Sequence, residues 1–95
     1  MNVGAGTDTA AMELNGTTAL VTGGAEGIGA GIAERLAAEG MHVVIADRDE
    51  QTGPVTAERI GGSFLRTDVA NRADIAAAVA AAGPVGVLVK QRRGH

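Results

Sequence analysis

Residues 18–29 read TALVTGGAEGIG and carry the strongest structural signal in the chain. The run from Thr18 to Thr22 is apolar and β-branched on both faces, which is typical of a strand buried in a parallel sheet. Glycines follow this run directly. Beyond them Ile28, Ile32 and Leu36 recur at four-residue spacing, Ala33 and Ala37 lie on the same stripe, and Gly40 is the closing cap. This spacing predicts an amphipathic helix that packs its apolar stripe on the sheet.

The same alternation of strand and helix continues downstream. Further buried strands are predicted at 43–46, 63–66 and 85–89. A second helix is expected within residues 51–60 and ends before Gly61. Gly53-Pro54 is expected to confine its regular part to the residues after the proline. A third helix is expected to begin at Asn71 as its N-cap, with an apolar stripe of Ile75, Ala78, Val79 and Ala82.

This order of elements predicts an α/β fold. Right-handed crossovers arrange about four strands in the order 3-2-1-4 with three helices, which is a partial, truncated Rossmann-like doubly wound parallel sheet. Residues 1–12 have no hydrophobic period and predict a disordered N-terminal arm. We expect residues 13–89 to form the partial Rossmann domain and residues 90–95 to be a separate basic tail.

Composition excludes several classes of protein. A chain of 95 residues is one small domain, and the absence of cysteine excludes disulfides and thiolate zinc sites, so we assign no metal ligands. No apolar run reaches the length of a membrane span and no signal peptide is recognisable, which predicts a cytoplasmic protein. The net charge of −3 and the single aromatic residue argue against nucleic-acid binding.

The glycine loop predicts a site for a dinucleotide phosphate. Gly23 would allow a sharp turn off the strand, Gly27 a close approach of the backbone to a pyrophosphate, and Gly29 close packing of helix and sheet. The amides and partial positive charge at the helix N-terminus favour an anion there. The loop's candidate cofactor-binding residues are Thr22, Gly23, Glu26, Gly27, Ile28 and Gly29.

Two acids are predicted at the same edge of the sheet. Asp47 lies about 20 residues beyond the loop, where a carboxylate can accept hydrogen bonds from the adenosine ribose. It would repel a 2′-phosphate, which favours NAD over NADP, although Arg48 beside it could accommodate such a phosphate. Asp68 and Val69 follow the third strand where an adenine would lie, and the alternative is that Asp68 serves the start of the next helix.

These residues resemble the first third of a classical short-chain dehydrogenase/reductase. The resemblance runs from Leu14 to Val89 and rests on Leu14-Asn15-Gly16, Thr22-Gly23-x-x-x-Gly27-x-Gly29, Asp47 and Asp68-Val69. It implies an oxidoreductase that transfers hydride between NAD(P)H and a carbonyl or alcohol. In that family NADP-preferring members often hold Lys or Arg at the position of Glu26, so the resemblance implies NAD.

The resemblance ends after the fourth strand. The family reads Asn-Asn-Ala-Gly there, whereas this chain reads Lys90-Gln91-Arg92-Arg93. One G inserted after the first two bases of AAC AAC GCC GG gives codons for those four residues, so we hypothesise a frameshift at residue 90. The family's catalytic Ser and Tyr-x-x-x-Lys lie downstream and this chain has no tyrosine, so we assign no catalytic residue.

Two other interpretations stay open. In the first, the chain is a non-catalytic module that binds a nucleotide or associates with itself. In the second, it is a methyltransferase-type domain that holds an adenosyl ribose on Asp47. The spacing of the three glycines suits a pyrophosphate, which disfavours the methyltransferase interpretation.

Overall fold

The computed structural model describes residues 17–90 and shows a parallel sheet with helices on both faces. The elements in chain order are β1 (Thr18–Thr22), α1 (Gly27–Ala38), β2 (His42–Asp47), α2 (Thr52–Ile60), β3 (Ser63–Arg66), α3 (Arg72–Ala82) and β4 (Val87–Lys90). The strands lie in the order β3-β2-β1-β4, and every pairing is parallel. This confirms the predicted fold class. The predicted arm at 1–12 and residues 91–95 of the predicted tail lie outside the described residues.

The core divides between the two faces of the sheet because successive side chains of a strand point to opposite sides. On the first face, which we call the two-helix face, strand residues pack with α1 and α2. Its buried members are Ala19, Val21, Ala33, Met41, Val43, Ile45 and Ala57. On the one-helix face, strand residues pack with α3, and the buried members are Leu20, Val44, Ala46 and Ala78.

Two of the predicted helix ends are confirmed. At the end of α1, the amide of Gly40 donates to Ala37 O at 3.0 Å and the amide of Met41 donates to Leu36 O at 3.2 Å. This pair of bonds is a Schellman motif, which satisfies the last carbonyls of the helix. At the start of α3, the side chain of Asn71 accepts a hydrogen bond from the Asp74 amide at 3.1 Å.

The predicted range of 51–60 for α2 is confirmed, but the expectation that regular helix follows the proline was wrong, since the helix begins at Thr52 and includes Gly53 and Pro54. A proline in the first helical turn removes an amide that has no intrahelical partner there, so the helix tolerates it. The carboxylate of Asp49 also accepts hydrogen bonds from the amides of Gln51 and Thr52 and so caps the first turn.

The predicted start of β4 was also wrong, since the strand begins at Val87 and includes Lys90. The turn at Gly83-Pro84 shifts the start of pairing between β4 and β1 to a later residue. Gly86 makes one bond to β1, from its amide to Thr18 O at 2.9 Å, before regular pairing starts at Val87. Pro84 has no amide to donate, so pairing does not start earlier.

The predicted apolar stripe of α1 is confirmed in part. Ala33 is fully buried, and Leu36 and Ala37 pack against the core of the two-helix face. Ile32 is half-buried, and Ile28, in the first helical turn directly after the glycine loop, is 74% exposed. No helix within residues 17–90 is long and apolar enough to cross a membrane.

The sheet also sets where the loops emerge. The ladder between β2 and β3 continues one residue past Arg66, because the amide of Thr67 donates to Asp47 O at 2.9 Å. Likewise the amide of Gly23 donates to Ala46 O at 2.7 Å, one residue past the end of β1. The segments that follow β1, β2 and β3 therefore leave the sheet at one edge, next to one another.

Candidate functional site

The glycine loop between β1 and α1 forms the centre of this edge. Gly23 and Gly27 have φ angles of 70° and 68°, in the left-handed region that residues with a side chain rarely adopt. A Cβ atom built on Gly27 would meet nothing within 4 Å, so the loop is open on that side. Gly24, in contrast, is buried, and a Cβ there would lie 3.2 Å from the Val21 side chain. The loop therefore rests on the sheet with one side and leaves its other side accessible.

The N-terminus of α1 opens at the same place. Glu26 occupies the N-cap position in extended conformation, and its exposed side chain makes no capping hydrogen bond. The first amides of a helix have no intrahelical partner, and the helix dipole adds partial positive charge. Because Glu26 does not cap them, these amides suit an anionic ligand in front of Gly27.

Asp47 at the end of β2 contacts the loop directly. Its Oδ2 accepts a hydrogen bond from the Ala25 amide at 3.1 Å, and its Oδ1 accepts one from the Asp49 amide at 3.0 Å. A carboxylate has about four acceptor positions, so these two bonds leave others for a ligand. The predicted proximity of Asp47 to the loop is thus present in the structure, with Ala25 as the residue that joins them.

Sequence reasoning missed a further residue at this site. The hydroxyl of Thr56, on α2, donates to the carbonyl oxygen of Ala25 at 2.6 Å, and both residues are buried. The sequence did hold a signal for it, a polar residue on the buried side of α2. Thr56 shares one helical face with Gly53, Ala57 and Ile60. A buried hydroxyl at such a position needs an acceptor from a neighbouring segment.

Asp49 stabilises the first turn of α2, the helix that carries Thr56 to the loop. Its Oδ1 accepts hydrogen bonds from the amides of Thr52 at 2.8 Å and Gln51 at 3.0 Å. These bonds, the one from Thr52 first, favour the charged carboxylate and lower the pKa of Asp49 below its ordinary value. Arg48, between the two acids, is exposed.

Asp68 serves the start of α3, as the alternative interpretation of this residue stated. Its Oδ1 accepts from the Ala70 amide at 3.0 Å, and its own amide donates to Asp74 Oδ2 at 2.9 Å. Its carbonyl oxygen accepts from the Asn71 amide. Asp68 and Val69 are both half-buried and follow Thr67 at the edge where β2 ends. The structure therefore places Asp68 near the site while giving its side chain a structural partner.

The remaining predicted residues differ in accessibility. Thr22 is buried, and its hydroxyl donates to Val89 O at 3.2 Å, which ties β1 to β4. Gly29 is buried within α1, while Glu26, Gly27 and Ile28 are exposed around the helix start. Within residues 17–90 no three His, Asp or Glu side chains come together as a potential metal site.

Known proteins share this architecture. Among curated proteins, the short-chain dehydrogenase reductase ATA1 of Arabidopsis thaliana is 46% identical over 61 residues, which are 64% of this chain and 22% of that protein. A solved 3-ketoacyl-(acyl-carrier-protein) reductase from Brucella melitensis, complexed with NADH, is 40% identical with a TM-score of 0.74. The match covers 79% of this chain and 33% of that one. A short chain dehydrogenase/reductase from Burkholderia phymatum, in complex with NAD, is 36% identical with a TM-score of 0.74, covering 80% of this chain and 30% of that one.

These matches cover most of this chain but only a minor part of each relative. The chain spans between 20% and 33% of the length of the curated relatives it matches. Within the chain, the model of the family described as short chain dehydrogenase matches residues 17–91, which include every strand and helix of the structure. On this match, with the strand order and the glycine loop in agreement, the chain belongs to the short chain dehydrogenase family.

Proposed function

We propose that the chain binds a nicotinamide dinucleotide, NAD in preference to NADP, at the carboxyl edge of its sheet. The observation that carries the proposal is the hydrogen bond from the Ala25 amide to the Asp47 carboxylate. This bond holds the Asp47 carboxylate, which can accept hydrogen bonds from a ribose, beside a glycine loop that is open in front of Gly27. The solved relatives with NADH and NAD support the same class of ligand.

The residues of the site fit the parts of such a ligand. The amides at the start of α1 would hold the pyrophosphate, whose charge suits an uncapped helix N-terminus. The free acceptor positions of Asp47 would take the hydroxyls of the adenosine ribose. Asp68 and Val69 would flank the adenine, although the bond from the Ala70 amide leaves Asp68 fewer acceptor positions for it.

The choice of NAD over NADP rests on charge. A 2′-phosphate would approach the ribose position, where Asp47 is fixed by two amides, and the exposed Glu26 adds a second carboxylate at the loop. Like charges at close range disfavour binding. Two cations in this region could reduce the repulsion. Arg48 is exposed beside Asp47, and Arg66 is the register partner of Asp47 on β3, with its guanidinium paired to Glu50.

The function that follows is the dinucleotide-binding part of an oxidoreductase. When bound, the nicotinamide would supply the hydride donor or acceptor for a carbonyl or alcohol. The chain's own residues would orient the dinucleotide through its phosphates and ribose. We assign no catalytic residue among them.

Titration of the full chain tests this proposal. The chain has no tryptophan, so the fluorescence of NADH or NADPH reports binding without interference from protein emission. We expect tighter binding of NADH than of NADPH, and we expect Asp47→Asn to weaken NADH binding about tenfold. Glu58→Gln, which removes one exposed acid of α2, is the matched control for net charge. S-adenosylmethionine is titrated in parallel, and preferential binding of it would overturn the proposal.

We also propose that residues from 90 onward are encoded in a shifted frame. Support comes from Lys90-Gln91-Arg92-Arg93, which a single inserted base would produce from the Asn-Asn-Ala-Gly that the family resemblance implies at this place. Reading all three frames of the gene for several hundred bases beyond codon 85 tests this. An Asn-Asn-Ala-Gly motif with a later Tyr-x-x-x-Lys in another frame is expected, and a continuous family pattern in none of them would contradict it.

One observation favours a second candidate, a self-associating module. Strand β4 lies at an edge of the described sheet, and its Leu88 is 48% exposed. Edge strands with exposed apolar side chains are prone to pair with other chains. Light scattering after gel filtration distinguishes the candidates, because a dimer that binds no dinucleotide would favour this module over the NAD-binding proposal.

A further inference from the structure

The backbone of Ala25 is held on both sides of its Cα atom by different elements. Its N–H donates to Asp47 Oδ2 at the end of β2, and its C=O accepts from the hydroxyl of Thr56 in α2. Ala25 is 1% exposed and Thr56 is 5% exposed, so water does not replace either bond easily. The middle of the glycine loop is therefore fixed by two side chains that lie 22 and 31 residues further along the chain.

We propose that Thr56 is a positioning residue for dinucleotide binding, acting through the Ala25 backbone on the loop and on Asp47. This inference rests on the proposed function, since the positioned groups are those that would hold the pyrophosphate and the ribose. Thr56 itself does not touch the ligand. Its hydroxyl holds the peptide between Ala25 and Glu26, while Asp47 holds the peptide between Gly24 and Ala25, so the two bonds together restrict the φ and ψ angles of Ala25.

The loop needs such a restraint because of its own sequence. Gly23 and Gly27, two residues before and after Ala25, adopt positive φ angles, and a glycine backbone can leave such a conformation for many others. Ordering such a segment costs conformational entropy, which a ligand would otherwise have to offset on binding. Without the Thr56 hydroxyl, the buried carbonyl of Ala25 would lack a partner. A change of the φ and ψ angles of Ala25 that turns this carbonyl toward water would also weaken the bond from the Ala25 N–H to Asp47.

The test compares three variants of the full chain. Thr56→Val removes the hydroxyl at nearly constant volume, and Thr56→Ser restores it. Thr67→Val is the matched control, because Thr67 is equally buried and its hydroxyl also donates to a backbone carbonyl, that of Leu65 at 3.1 Å. We expect Thr56→Val to raise the Kd for NADH and for ADP about tenfold, with Thr56→Ser close to the original value. Thr67→Val should lower the melting temperature similarly and leave both Kd values within about twofold.

A second measurement does not depend on any ligand. Amide hydrogen exchange at Ala25, followed by NMR, reports the bond from its N–H to Asp47. Thr56→Val should accelerate this exchange, whereas Thr56→Ser and Thr67→Val should not. Unchanged exchange at Ala25 in Thr56→Val, or equal acceleration in Thr67→Val, would overturn the positioning role. If the exchange responds as expected but the parent chain binds neither NADH nor ADP, the NAD-binding proposal fails and the control of the loop by Thr56 stands.

Discussion

The two faces of the sheet differ in how completely they are covered. The two-helix face buries seven residues and adds six half-buried ones from both helices and two strands, β3 and β4. The one-helix face buries four residues beneath α3, with four half-buried ones around them. The elements that carry the glycine loop and Thr56 all belong to the two-helix face. The contrast indicates that the candidate site is built on the better packed side of the molecule.

The strands show the same contrast from centre to edge. Four of the five residues of β1 and four of the six residues of β2 are buried, whereas no residue of β3 or β4 is. Buried apolar area is the main source of folding free energy. The central pair of strands, which ends at the loop and at Asp47, is therefore the most stable place for a binding site within residues 17–90.

The largest expected effect comes from a pair of substitutions in β2. Val43 and Val44 are neighbours of the same type, both almost fully buried, and they point to opposite faces. We expect Val43→Ala to lower the free energy of unfolding by about 2–3 kcal/mol and Val44→Ala by about 1–2 kcal/mol, because the single helix can relax onto the smaller side chain. Urea unfolding followed by circular dichroism measures both. Equal losses would show that the two faces are packed equally well.

A glycine of α2 sharpens the comparison on the two-helix face. Gly53 is buried, and a Cβ there would collide with the ring of Phe64. We expect Gly53→Ala to cost about 2 kcal/mol through overpacking. Gly31→Ala is its control, since Gly31 lies exposed in α1 with nothing within 4 Å of the new Cβ, and it should stabilise the chain by about 0.5–1 kcal/mol. A tolerated Gly53→Ala would mean that α2 is free to move away from β3.

On the one-helix face, the start of α3 depends on one side chain. Asn71 caps this helix through a bond from the Asp74 amide, whereas Gln51, at the corresponding position of α2, makes no side-chain cap bond. We expect Asn71→Ala to lower the free energy of unfolding by about 1 kcal/mol and Gln51→Ala to change it by less than about 0.5 kcal/mol. Thermal unfolding of the two variants checks this, and a larger loss for Gln51→Ala would reverse the assignment of the caps.

Sequence patterns predicted the elements because each has a local cause. The bounds of β1 and β3 agree with the prediction, as do the Asn71 cap and the closing role of Gly40. The two misplaced ends differ in cause. The start of α2 depends on a local cap, the Asp49 carboxylate, whose effect outweighs the proline signal. The start of β4 depends on a non-local partner, because it is set by where the strand can pair with β1.

The candidate site was predictable to a similar extent. Glycine spacing and the position of Asp47 after a strand located the loop and the acid at one edge. The two bonds to the Ala25 backbone were not predictable, because both join residues more than twenty positions apart. The bond from Thr56 depends on how α2 packs beside the loop, which no local pattern encodes. Asp68 shows the opposite case, since its bond from the Ala70 amide is local and a structural role before the helix was one of the two interpretations of this residue.

The smallest expected effect is a pH dependence that arises at the start of α2. The Thr52 and Gln51 amides lower the pKa of Asp49 in the folded chain below its ordinary value of 3.8. A carboxyl whose pKa is lower when folded stabilises the fold fully above its unfolded pKa, and this contribution is lost as the pH falls through the folded pKa. Asp49→Asn removes the titration, so its melting temperature should lie below that of the parent at pH 7.

The two melting temperatures should then converge as the pH falls below about 4. Glu58→Gln controls for the loss of one acid, because it leaves both hydrogen bonds to Asp49 intact. A constant difference between Asp49→Asn and the parent from pH 7 to pH 2.5 would contradict the expectation. Since α2 carries Thr56 to the loop, convergence would also mean that the carboxylate which starts this helix contributes, at neutral pH, to the segment that fixes the candidate site.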